Sequence, residues 1–215
     1  LFLKVHRIPC GVKLVMNNNY ATAVEIFRKN NGILRRSEAI RLGILEHQIY
    51  SMLTKGILVK EDRGIYRLAE LEPLGNPDLV QVSLLVPKAV ISLVSALYFH
   101  RLTSQMPYEV FISLPRNVAK PRVGYPPLSV VWQAEQPFQA GIETHILDGV
   151  GVKIYNPEKT ITDCFKFRAK VGTEVAIEAL KDYMRLPQPK ISRLLEYARI
   201  NRVENLIKPY LETLI

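Results

Sequence analysis

The stretch from Glu38 to Gly56, EAIRLGILEHQIYSMLTKG, constrains the chain more than any other segment. Its apolar pattern is broken at Gly43 and resumes out of phase. A glycine inside one continuous amphipathic helix costs about 1 kcal/mol relative to alanine, so a single helix has no use for it. Two short helices meeting at a corner do. Gly43 takes the left-handed conformation after the first helix, Ala39 permits close approach, and Ile49 packs back across the angle. This is the outline of a helix-turn-helix.

The flanks extend that outline. ATAVEIFRKNN places Ala23, Ile26 and Phe27 at helical spacing and ends at Gly32. A short extended piece, Ile33 to Arg36, follows. Ser37 is the expected N-cap of the next helix, which runs to Gly43. The helix over about 45–55 turns Leu45, Ile49, Met52 and Leu53 inward. Residues 57–60 and 65–68 then alternate around the turn Glu61-Asp62-Arg63-Gly64, which reads as a hairpin. Three helices and a hairpin make a winged helix-turn-helix over residues 16–70.

Charge gives this unit a direction. Residues 1–70 carry 12 Lys+Arg against 6 Asp+Glu, while residues 71–215 carry 17 against 14. The basic excess is concentrated beside the helix pair and suits a polyanionic partner. With the apolar face inward, His47, Gln48, Tyr50, Ser51 and Lys55 point outward, and Gln48 has the groups to bond adenine at two points. Arg35, Arg36, Lys55, Lys60, Arg63 and Arg67 are the expected phosphate contacts, with Arg63 at the wing tip. Glu46 opposes a phosphate unless it accepts from a cytosine. Winged helices that dock on protein instead leave a second reading open.

Residues 71–80, with the Asn76-Pro77 step, read as a linker, and residues 81–215 as a second domain. A short helix is expected from Asp78 to Val86 and an apolar one over about 91–101. Strand composition follows at 110–114, 128–132, 142–146 and 150–155. From about 157 the character is helical, over 157–169, 173–184, 189–200 and 202–213. The fold class is therefore α+β, a winged helix followed by a small sheet with a helical tail.

No phosphate-binding glycine loop, metal-ligand spacing or nucleophile elbow is present in the sequence, so neither catalysis, a metal nor a cofactor is expected. Asn156-Pro157-Glu158 is read as a helix start: cap, first-turn proline and a carboxylate on the positive helix end. His100 is read as a satisfied core histidine. No apolar run reaches the roughly 20 residues of a membrane span. Cys10 and Cys164 read as ordinary thiols of a reducing, cytoplasmic setting. Residues 1–15 read as an extension ahead of a start at Met16.

This order of elements resembles the AbiEi family of antitoxins and transcriptional regulators of bacterial type IV toxin–antitoxin systems. The resemblance spans most of residues 20–185. It rests on SEAIRLGILEHQIYSMLTKGILVKEDRGIYRL, then PKAVISLVSALYFHRL at 87–102 and GVKIYNPEKTITDCF at 151–165. It implies an operator-binding repressor of its own operon, acting on duplex DNA; two copies on an inverted repeat are natural for a helix-turn-helix. It also implies an antitoxin that counters a nucleotidyltransferase-like toxin without a stable complex, or else a stand-alone regulator. The implied DNA-contacting positions are Arg35, Arg36, His47, Gln48, Ser51, Lys55, Lys60 and Arg63.

Overall fold

The computed structural model describes residues 20–214, and the expectations for residues 1–15, Met16 and Cys10 lie outside them. The chain divides into two units, one ending at Leu71 and one beginning at Glu72.

The first unit contains α1 (Ala21–Lys29), β1 (Ile33–Arg35), α2 (Arg36–Arg41), α3 (Glu46–Thr54), β2 (Leu58–Asp62) and β3 (Ile65–Leu68). The strands form an antiparallel sheet in the order β1-β3-β2. Phe27, Ala39, Ile44, Ile49, Met52 and Leu58 join in one apolar core. Gly43 sits at φ 96°, between α2 and α3, where a side chain would strain the backbone. Gly64 turns the hairpin at φ 81°.

Two expectations here are corrected. Leu45 is 57% exposed. It is the non-helical residue preceding α3, so it falls outside the helical register, and Ile44 is buried at the corner instead. Ser37 is not the cap of α2. The Arg36 N–H bonds the Gly64 carbonyl across the wing at 2.8 Å, and the helix starts straight from the strand with extended Arg35 at the cap position.

The second unit contains α4 (Pro77–Leu85), β4 (Val90–Ile91), α5 (Leu93–Phe99), β5 (Val110–Pro115), β6 (Leu128–Gln133), α6 (Glu135–Gln139), β7 (Ile142–Leu147) and β8 (Val150–Tyr155). Helices α7 (Pro157–Lys166), α8 (Arg168–Val171), α9 (Thr173–Met184), α10 (Ile191–Asn201) and α11 (Glu204–Glu212) complete it. The first turn of α4 occupies residues 77–80, read from sequence as linker. The sheet order is β6-β5-β4-β8-β7. It is mixed: β5–β6 and β4–β8 are parallel, β4–β5 and β7–β8 antiparallel. Leu97, Ile161, Phe165, Leu180, Leu194 and Ile207 anchor the helical core. Both units together give the α+β class, winged helix first and helical tail last.

Helix α7 starts as its sequence dictates, with the Asn156 side chain accepting the Lys159 N–H at 2.9 Å and Pro157 in the first turn. Its interior is less ordinary. Lys159 and Asp163 are both fully buried, paired at 2.5 and 2.6 Å. Gln133 donates to Asp163 and to Ser113, each at 3.0 Å, and Asn201 donates to Asp163 at 2.8 Å. The Lys159 ammonium also lies 4.2 Å from the centre of the Tyr155 ring. Burial lowers the proton affinity of Lys159 and raises that of the Cys164 thiol beside it. A buried pair holds its charge only when its remaining hydrogen-bonding positions are filled, and here they are.

Candidate nucleic-acid interface

Helix α3 presents its outer face through His47 and Tyr50, both exposed, the latter at 48%. Ile49 and Met52 point the other way into the core, which fixes the roll of the helix. The first turn is tightened by Gln48. Its side-chain oxygen accepts the Leu45 N–H at 3.0 Å while its own N–H bonds the Leu45 carbonyl at 2.9 Å. A two-point contact with adenine needs that same amide oxygen, so base reading and helix capping compete for one atom.

The cations fall into two groups. Lys60 and Arg63 on the wing are exposed, Arg35 at the start of α2 is half-buried, and none has an ion-pair partner among the described residues. The others are engaged. Arg36 holds the Glu46 carboxylate, which joins the start of α2 to the start of α3 and keeps Glu46 below the usual carboxylate range. Lys55 donates to the Tyr20 hydroxyl at 3.1 Å and lies 4.6 Å from the centre of that ring. Ser51 shares a hydrogen bond of 2.7 Å with the same hydroxyl. These two bonds draw the Tyr20 phenol below its ordinary value.

Arg67 is a correction. It is 6% exposed, pairs with Glu61 at 2.5 Å, and donates to the Leu68 carbonyl at 3.1 Å and to the Leu71 carbonyl. It fastens the last strand and the residues after it, and its guanidinium has no route to a phosphate. The antiparallel pairing of β2 and β3 explains this: Val59 is the residue opposite Arg67, and a bulge between Lys60 and Asp62 leaves Glu61 out of the ladder, where its carboxylate takes the Arg67 guanidinium.

The two histidines of the second unit come together in the fold. His100 and His145 have ring centroids 6.1 Å apart, with Phe99 packed edge-on against both. The His100 Nε2 lies 2.7 Å from the Tyr155 carbonyl, which can only accept, so Nε2 carries the proton. The two histidines are separated by 45 residues in sequence, His100 directly after α5 and His145 on β7. Among the described residues no group of His, Cys, Asp and Glu is arranged to hold a metal, and no helix is long and apolar enough to cross a membrane.

The three helices and the antiparallel hairpin of the first unit define a winged helix. Residues 22–69 match the family model described as transcriptional regulator, AbiEi antitoxin. No curated protein matches the chain. Among solved structures it is similar to the crystal structure of the RV2827C protein from Mycobacterium tuberculosis, at 14% identity and a TM-score of 0.51. That match covers 89% of this chain and 79% of the other, and at such identity it is a likeness of fold.

Proposed function

We propose that the chain is a non-enzymatic, cytoplasmic transcriptional regulator that binds duplex DNA through its winged helix and represses its own operon. The observation that carries this reading is the exposed outer face of α3, His47 and Tyr50, together with the exposed wing cations Lys60 and Arg63, which have no ion-pair partner among the described residues. Tyr50 and His47 approach base edges, while Lys60, Arg63 and Arg35 neutralise phosphates. Lys55 and Ser51 contribute through the Tyr20 hydroxyl, and Gln48 by exchanging its cap for a base. The operator holds inverted repeats. The second unit supplies antitoxin action against a nucleotidyltransferase-like toxin of a type IV system, without a stable complex. This part of the reading rests on the family resemblance together with the match over residues 22–69.

The test is electrophoretic retardation of the gene's own upstream region against a scrambled duplex of equal length. Selective retardation supports the regulator. Equal retardation of both favours a second reading, in which the winged helix docks on protein. Ile40, Leu42 and Leu45, exposed together around Gly43, are the observation behind that alternative.

A further inference from the structure

The second unit carries its own concentration of positive charge, independent of the wing. Residues 116–133 contain Arg116, Lys120 and Arg122 and no acid, and residues 164–172 contain Lys166, Arg168 and Lys170 and no acid. The fold brings both segments to the β6 edge of the sheet. Strand β6 is an outermost strand, and residues 116–127 connect β5 to it. The Arg116 N–H bonds the Gln133 carbonyl at 3.0 Å, and the Trp132 indole N–H bonds the Val118 carbonyl at 2.8 Å. From the helical side, the Lys170 ammonium reaches the Val130 carbonyl at 3.0 Å. Lys166 bonds Asn201 at 3.2 Å, which places the exposed Arg202 beside it.

These cations lack the compensation seen elsewhere. Arg116, Lys120, Arg122, Arg168, Lys170 and Arg202 have no ion-pair partner among the described residues, whereas Arg185, Arg193 and Arg199 each have one. Burial lowers the proton affinity of Lys166, and the charges of Arg116 and Arg202 lower it further against the pull of Asp163. Asp163 itself is fully enclosed and bound to Lys159. An excess of cations without ion-pair partners among the described residues favours an anionic occupant.

The aromatic side chains decide which anion. Trp132, the only tryptophan of the chain, is 39% exposed amid this charge, and its indole nitrogen is already committed, so the ring plane is held. Tyr125, on the same connection, is 54% exposed. A duplex keeps its bases stacked internally and gains nothing from an exposed ring. An unpaired base gains a stacking platform, and its phosphates gain the cations.

We propose that the β6 edge of the second unit is a docking surface for single-stranded nucleic acid, with Arg116, Lys120, Arg122 and Lys170 on phosphates and Trp132 against a base.

The experiment is a titration of the full chain with oligo(dT) of about 16 nucleotides, followed by Trp132 fluorescence at low salt. Quenching that saturates is expected. The variant Arg116→Ser/Lys120→Ser/Arg122→Ser should weaken binding and reduce the log–log salt slope by about two, at roughly 0.7 per phosphate contact on a single strand. With a labelled oligonucleotide read by anisotropy, Trp132→Ala should bind about tenfold more weakly. The wing variant Lys60→Ala/Arg63→Ala should leave the quenching intact, and circular dichroism checks that each variant is folded. Absence of quenching, unaltered binding by the triple variant, or loss of quenching in the wing variant would each overturn the proposal. So would an equal quench from a duplex of the same length.

Discussion

The Arg36 guanidinium holds the Glu46 carboxylate across the corner between α2 and α3. The pair cancels one positive charge at the N-terminal end of the helix proposed to enter DNA. It is also exposed, so it contributes little to stability. Its consequence is for binding.

Glu46→Gln should therefore tighten binding to every duplex. The substitution removes a carboxylate that opposes phosphate and releases Arg36 to take a contact of its own. The magnitude of the salt slope should rise by about one. Fluorescence anisotropy across a salt series checks this; weaker binding would identify Glu46 as a base reader.

Lys60→Ala and Arg63→Ala should act in the opposite direction. Each removes a wing cation that has no ion-pair partner among the described residues, so affinity should fall for specific and scrambled duplexes alike. The slope magnitude should drop by about 0.9 per residue. A loss confined to the specific duplex would place these side chains on bases.

Arg67→Met should leave the wing face unaltered and act on stability instead. The methionine keeps the bulk of the stem but takes the guanidinium donor from Glu61 and from the Leu71 carbonyl, and leaves the Leu68 carbonyl with the Leu71 N–H alone. Stripping one partner from a buried pair costs about 3 kcal/mol. Urea unfolding followed by circular dichroism measures it, and an unchanged midpoint would refute the fastening role.

His100 makes the second unit sensitive to mild acid. Burial, chiefly, holds its proton affinity below the ordinary value, against the Tyr155 carbonyl that raises it. The unfolded chain then binds a proton before the folded one does. Stability is undiminished above about pH 6.5 and declines as pH falls below that, towards the lowered folded value. Urea midpoints at about pH 7.5 and about pH 5.5 should differ, and His100→Gln should shrink the difference.

The parts of this molecule that follow local rules were legible in its sequence. Gly43, the inward pair Ile49 and Met52, and the Asn156-Pro157 helix start each depend on neighbours within a few residues. The parts that were not legible depend on distant ones. Nothing local distinguishes Arg67 from Lys60, yet one lies under the bulge facing Glu61 and the other faces water. The spacing of Lys159 and Asp163 marks an ordinary helical ion pair; their burial is set by Ser113, Gln133 and Asn201, contributed by three other elements. Strands β5 and β6 were recognised by composition, but their parallel pairing depends on a connection without a helix, which periodicity does not reveal.

The Lys170 contact with the Val130 carbonyl has one more effect. An outermost strand offers its peptide groups to any extended chain it meets, and sheets of this kind are prone to join edge to edge. Here an ammonium occupies one of those acceptors and sets a charge in the path of an incoming strand. A single flexible side chain thus helps to keep the molecule from polymerising through its own sheet.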